Sequence, residues 1–440
     1  MRDVAQSLLA RIERAFPVVD MFWEECVRST VLLGGRGEAP PGACWRRGMQ
    51  LRVVGATRAA SAWTTDMSAE GLRRAFERLR SGVEAPRVVP PWPSPLLVWH
   101  SEESMACWRA WGERLLSNTR ARVPSDVMVH GCLTFEHADR GAAPASDRLV
   151  AWHQERVLLD VDILSADGSG VRHSQVLTLP SEQERELAEA AVLETVQQAR
   201  ATTGGLEGTL PVVLAPGGGA LLLHEIVGHG LEADRVLTGA SPFAGKPMGS
   251  TVSHPDLTVV DRTTARWGPG ALEFDDEGQA AEPVVLIDHG KLAGVLHDRA
   301  TAFVAGVKPT GNGRRASYEW EPAPRMRNIV VDAGPTDAAS LLAGIDLGLY
   351  VQRVGGSVDP STRSFALTVE AGRIIRHGVL SERVRGLTLR GDTLRTLRDV
   401  QGVGDDIVTS CQPIWCGKRG MVITGIAGPT VLLGRLWVSS

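Results

Sequence analysis

The chain has 440 residues, 43% of them hydrophobic and 22% charged, with a formal net charge of −4. That composition suits a globular protein of two domains and excludes a disordered chain. The near balance of charge excludes bulk attraction to nucleic acid or anionic lipid, and no apolar run is long enough to span a bilayer. Cys26, Cys44, Cys107, Cys132, Cys411 and Cys416 are too scattered for a disulfide-stapled secreted domain. The opening Met-Arg-Asp-Val-Ala-Gln lacks the apolar stretch of a signal peptide, so a cytoplasmic protein with reduced thiols is expected. The small basic clusters Arg46-Arg47, Arg314-Arg315 and Arg325/Arg327 read as solvated or salt-bridged faces.

Residues 3–16 carry apolar side chains at helical spacing. A Gly- and Pro-rich loop over 34–43 precedes an alternating strand at 49–54. A helix over 68–80 has Ser68 as its N-cap. The five prolines of 86–95 exclude regular structure there. A helix over 102–118 is followed by strands at 127–134 and 149–164. A turn at 167–170 leads into a strand at 172–179, completing a hairpin. The helix over 180–202 has Ser181 as cap with Glu184 three residues on, and it ends at Gly204-Gly205. That glycine pair divides the chain into units 1–203 and 204–440.

Strands dominate the second unit, at 211–215, 257–261, 282–288, 291–296, 329–333, 349–354, 364–370 and 373–379. Asp288-His289-Gly290 and Glu370-Ala371-Gly372 read as hairpin turns. The expected class is α+β: an N-terminal domain of helices and a sheet, then a strand-rich C-terminal domain carrying a metal helix. No fixed period marks a repeat protein.

The metal helix is Ala220-Leu-Leu-Leu-His-Glu-Ile-Val-Gly-His-Gly-Leu-Glu-Ala-Asp234, with the core His224-Glu225-x-x-x-His229. In the common zinc-peptidase pattern the histidines stand four apart and share a helix face. Five residues turn through about 500°, leaving the rings roughly 140° apart on a regular helix. A π-type turn, closed from residue i to i+5, would bring the rings together. Gly228 and Gly230 tolerate such a distortion and allow close backbone approach. The plainer reading is a buried helix with two packed histidines. Zinc needs a third ligand and an open position, and His254, His289, His297, Glu232, Asp234, Cys411 and Cys416 are all candidates. Cys416, in Cys-Gly-Lys-Arg-Gly, stands slightly ahead, because Lys418 would favour its thiolate; otherwise it is a small buried hydrophobe.

These residues resemble the TldD/PmbA family of metallopeptidases, in its TldD-like, metal-bearing branch. The resemblance rests on Leu223–Asp234, Asp275-Asp-Glu-Gly278, Pro309–Tyr318, Pro324-Arg-Met-Arg-Asn328 and Cys416-Gly-Lys418, in that order. It covers residues 150–435, whereas the first 150 match only in outline. It implies zinc on His224, His229 and Cys416, with Glu225 as the catalytic base. It also implies hydrolysis of unfolded peptides or maturation of ribosomally made ones, and dimers, often with a metal-free paralogue. Where members continue Cys-Gly-Lys-x-Gly with Gln, this chain has Met421.

The reaction expected from that set is peptide-bond hydrolysis, with zinc polarising the carbonyl and Glu225 moving the proton. Tyr318 or Arg315 could donate to the oxyanion, although both are more simply read as structural. Glu232 or Asp234 could hold a ligand imidazole by its other nitrogen, or be plain surface charges. An extended peptide could pair with a sheet edge. The competing readings are a zinc-stabilised peptide-binding subunit without activity, and a small-molecule amide hydrolase.

Overall fold

The computed structural model describes residues 2–14, 16–34, 42–55, 59–81, 102–145, 148–164, 170–177, 182–410 and 412–440. The proline-rich stretch 86–95, the turn at 167–169, the Ser181 cap and Cys411 lie outside them. Six strands form one antiparallel sheet in the order β3-β2-β1-β4-β5-β6. They are β1 (Val18–Leu33), β2 (Gly42–Val54), β3 (Ala59–Thr64), β4 (Met128–Ala145), β5 (Arg148–Leu164) and β6 (Gly170–Leu177). Helices α1 (Arg2–Ile12), α2 (Ala69–Ser81), α3 (Glu102–Arg120) and α4 (Glu182–Ala199) complete this half.

The helices cover one sheet face in two pairs. Leu9 of α1 and Leu72 of α2 pack with Met21, Met49 and Leu51. Trp108 and Leu115 of α3 and Val192 of α4 pack with Leu133, Phe135 and Leu159. Ser68 caps α2, its Oγ accepting from the Gly71 amide at 3.1 Å. Strand β1, at the sheet's centre, is absent from the predicted elements. Its second row of side chains includes Asp20 and Glu24, each 1% exposed. Arg52 and Arg46 pair with them at 2.6 and 2.7 Å. That row faces the second half of the chain, where Arg52 also meets Glu277 and Arg315 donates to Gln50 Oε1 at 2.6 Å.

The second half is built from two further sheets around one core. Leu347–Gly355, Gly208–Leu214, Val431–Ser439, Leu387–Asp392 and Ser364–Arg376 pair in that order. The last pairs back with the first, which closes a five-stranded barrel. The other sheet contains Val284–Asp288, Val259–Arg262, Asn328–Val331 and Met421–Gly428, with Ile414–Gly417 paired to the last. Leu222, Ile226 and Leu231 of segment 218–231 join Val212, Val351, Ile329 and Ile426 in the shared core. No helix among the described residues is long and apolar enough to cross a membrane.

The hairpin expected at 285–296 forms with its second strand shortened to Lys291–Leu292, and His289 and Gly290 occupy its turn at φ of 46° and 76°. The hairpin expected at 364–379 does not: Ser364–Arg376 is one strand. Gly372 serves close pairing there, since an added Cβ would stand 2.9 Å from the Tyr350 carbonyl oxygen. The basic pairs of this half are also not a solvated face. Arg325 and Arg327 are fully buried, and Arg327 pairs with Asp261 at 2.8 Å.

Candidate metal centre

Segment 218–231 is one helical path whose winding changes along its length. Gly218–Ala220 is a 3₁₀ turn, Leu221–Leu223 an α turn, His224–Gly228 a π turn and His229–Leu231 a second 3₁₀ turn. The His229 amide donates to the His224 carbonyl, the i to i+5 closure that the five-residue spacing demands. The imidazole centroids stand 5.3 Å apart with rings 88° to each other. Gly228 keeps ordinary helical angles, φ −57° and ψ −59°, so no positive φ calls for glycine there. Close approach does: an added Cβ would lie 1.9 Å from Met326 Sδ. At Gly230 it would lie 2.7 Å from Phe243 Cε2.

Cys416 reaches this helix from a hairpin, where it pairs across from Val422. Its Sγ is 3.5 Å from His229 Nε2. The donor atoms of His224, His229 and Cys416 all lie within 4.8 Å of one another. Arg325 pins the hairpin by donating to the carbonyls of Cys416, Lys418 and Gly420. Lys418 turns away from the thiol, and its Nζ meets Glu232 Oε2 at 2.9 Å, Asp234 Oδ1 at 2.7 Å and the Pro324 carbonyl at 3.0 Å.

The three donors fit a divalent metal. Both His224 ring nitrogens are buried and lack a hydrogen-bond partner, which costs free energy unless something else binds them. Burial pushes the Cys416 thiol up, yet the imidazoles and Arg325 hold it well below its ordinary range. Burial pushes His229 down, but Glu232 and the Cys416 sulfur raise it well above the usual imidazole value. A thiolate and two imidazoles are a zinc-type donor set. Glu232 is fully buried, and its Oε1 lies 3.3 Å from His229 Nδ1, where a carboxylate orients a ligand imidazole. Asp234 contacts Lys418 instead of a ring.

Glu225, one residue after the first histidine, lines a cleft of about 930 Å³ together with His229 and Cys416. Its Oε2 accepts from the Val358 amide at 3.0 Å. Arg172 and Ser174 of β6 line the cleft from the first half, and Arg235, Arg353 and Asp359 from the second. Ile414–Gly417 runs along the wall, and among the described residues its strand partner is Met421–Gly428 alone. Met421 also lines the cleft.

The structure does not bring Tyr318 and Arg315 to this cleft. Tyr318 is 2% exposed and packs edge-on against Trp63, with ring centroids 5.7 Å apart. Arg315 is buried over the Phe22 ring, between the first sheet and Asp276. Both hold the two halves together. His254, His289 and His297 also lie outside the donor cluster; the His289 side chain is 79% exposed in its hairpin turn. Val358 and Arg325 were missed from sequence. Nothing local to Val358 in the sequence signals its contact with Glu225.

A family profile described as the PmbA/TldA metallopeptidase C-terminal domain matches residues 207–440. Among curated proteins, a metalloprotease TldD homolog of Buchnera aphidicola subsp. Acyrthosiphon pisum is 36% identical over 235 residues, 53% of this chain and 48% of that protein. A metalloprotease of Methanothermobacter thermautotrophicus is 31% identical over 336 residues, 74% of this chain and 73% of that one. The chain spans about half the length of the TldD homologs it matches. Among solved structures, TldE from Thermococcus kodakarensis has a TM-score of 0.72 at 17% identity, covering 99% of this chain and all of that one. That likeness is one of fold.

Proposed function

This chain belongs to the PmbA/TldD metallopeptidase family, and from that premise we propose that it is a zinc-dependent peptidase acting on unfolded or extended peptides. One observation carries the reading: His224, His229 and Cys416 converge within 4.8 Å, beside a glutamate that faces a cleft. His224, His229 and Cys416 would hold the metal, and zinc there supplies Lewis acidity at the scissile carbonyl. Glu225 accepts a proton from the attacking water and delivers it to the leaving amine nitrogen. The Val358 amide fixes Oε2 of that carboxylate and leaves Oε1 for the water. Glu232 orients His229 through Nδ1.

The edge of Ile414–Gly417 supports an extended substrate, since a peptide paired there would run past Cys416 with backbone bonds and little sequence preference. The proposal extends to a cytoplasmic dimer, formed with a second copy or with a metal-free paralogue. The TldE-like fold supports a scaffold common to both kinds of subunit.

The test is Glu225→Gln in the full chain, with metal content and cleavage of an unstructured peptide measured together. Metal content stays at the wild-type level while the cleavage rate falls by roughly 10²–10⁴-fold. Cleavage at the wild-type rate would remove Glu225 from the reaction, and no cleavage by the metal-loaded wild type would remove the peptidase reading.

A further inference from the structure

A second group of metal-type donors lies on the first sheet, on the face away from the cleft. His137 and Asp139 are two residues apart on β4, and His153 and Glu155 two apart on β5. All four therefore point to one face. The register pairs His137 with Glu155 and Asp139 with His153. This is the face of Phe135 and Leu159, which the helices cover, whereas Arg172 and Ser174 on β6 reach the cleft from the other face. The polar row lies between the core beneath α1 and α2 and the core beneath α3 and α4.

We propose that His137, His153 and Glu155 form a second binding site for a divalent transition metal, with Asp139 orienting both imidazoles. Their donor atoms lie within 4.8 Å of one another. Glu155 Oε1 is 3.2 Å from His137 Nδ1 and 3.3 Å from His153 Nε2. Ligands on a tetrahedral zinc stand about 3.3–3.5 Å apart, given zinc–nitrogen and zinc–oxygen bonds of roughly 2.0–2.2 Å. The carboxylate is thus already at ligand spacing from both rings. The remaining ring nitrogens face one carboxylate: Asp139 Oδ1 is 2.8 Å from His153 Nδ1, and Oδ2 is 3.5 Å from His137 Nε2. A carboxylate behind each ligand imidazole fixes the tautomer and the ring plane. The ring centroids are 4.2 Å apart. His137 is 6% exposed, which fixes one ligand, while the exposed side of His153 and Glu155 gives an ion entry and water for the open positions.

Two imidazoles with one carboxylate select zinc, cobalt, nickel or copper over magnesium or calcium, which favour all-oxygen sites. A metal here would tie β4 to β5 where no helix core spans the sheet. The site owes nothing to the cysteine, so it stands apart from the catalytic reading and can fail separately.

The experiment is cobalt(II) titration of the full chain, freed of metal by chelation, followed by ion counting and visible absorption. Wild type takes up two ions per chain. His153→Ala, a change at an exposed side chain that leaves folding intact, takes up one and keeps the sulfur-to-cobalt charge-transfer band. Cys416→Ala also takes up one but loses that band. A wild-type count of one that keeps the charge-transfer band, or a count of two retained in His153→Ala, would overturn the second site. Loss of the band in Cys416→Ala bears only on the first.

Discussion

Cys416 Sγ lies 3.5 Å from His229 Nε2, although the residues are 187 apart in the chain. Two local features must form for the contact to exist: the π turn that aims both imidazoles, and the hairpin that Arg325 pins through three carbonyls. A metal binding this set binds the folded chain and not the unfolded one, so its binding free energy is also folding free energy.

Removing the thiolate tests that closure. In Cys416→Ala, metal affinity falls by more than the roughly 10–100-fold that loss of an outer hydrogen-bond partner causes. With free zinc at about 100 times Kd, the wild type gains about 2.7 kcal/mol of stability. Melting curves with zinc and with chelator therefore separate more widely for the wild type than for the variant. Separation of equal size in both would mean that Cys416 is no ligand.

Glu232 and Lys418 form the layer behind His229. Burial raises the Glu232 carboxyl, but His229 and Lys418 override that and hold it down at about 2, so it is an anion throughout the working range. Glu232→Gln keeps the shape and removes the charge that orients the ring. Zinc affinity or peptide cleavage then falls by roughly 10–100-fold, with the fold intact by circular dichroism. Lys418→Met leaves Glu232 buried with less compensation, so it lowers the melting temperature as well. Competition with a chromophoric chelator measures the first effect and calorimetry the second.

Gly228 offers a test of packing alone. The added Cβ of Gly228→Ala would meet Met326 Sδ at 1.9 Å, and both sit in a filled core. Overpacking of this kind costs about 1–3 kcal/mol. The clash moves the π turn, so metal affinity falls with stability. Gly228→Ala combined with Met326→Ala restores space, and urea unfolding of the double variant shows a smaller loss than the two single losses summed. Additive losses would place the need for glycine elsewhere.

How far the sequence could be read depended on whether a contact is local. The five-residue spacing of His224 and His229 implied a π turn because helix geometry is a property of neighbours. The Asp288-His289-Gly290 turn was legible for the same reason. Cys416 was one of seven third-ligand candidates until the family resemblance singled it out, because spacing along a chain does not encode which hairpin meets which helix. Strand β1 was hidden because Asp20 and Glu24 look solvent-facing, and their partners Arg52 and Arg46 lie on the next strand. Gly372 read as a turn when it serves close pairing inside a strand. Tyr318 and Arg315 sat near motif residues in sequence, yet they face the first sheet, whose position the sequence does not disclose.

His173 sets a pH dependence that is separate from the metal centre. It lies on β6, 1% exposed, with Nε2 3.1 Å from Gln175 Oε1 and Nδ1 3.5 Å from Thr195 Oγ1. Burial pushes its pKa from the ordinary 6.5 down to about 4, outweighing the Gln175 hydrogen bond, which favours the protonated ring. The folded value is depressed, so the unfolded chain takes the proton first as pH falls. The contribution of His173 to stability is therefore complete above about 6.5 and is lost on descending to about 4. Each pKa unit corresponds to about 1.4 kcal/mol, so the whole effect is at most about 3.5 kcal/mol. His173→Gln removes the titrating ring and keeps a polar side chain. Denaturant midpoints taken from pH 7 to pH 4 fall less steeply for this variant than for the wild type. Parallel profiles would show that His173 is protonated in the folded state at the same pH as in the unfolded one.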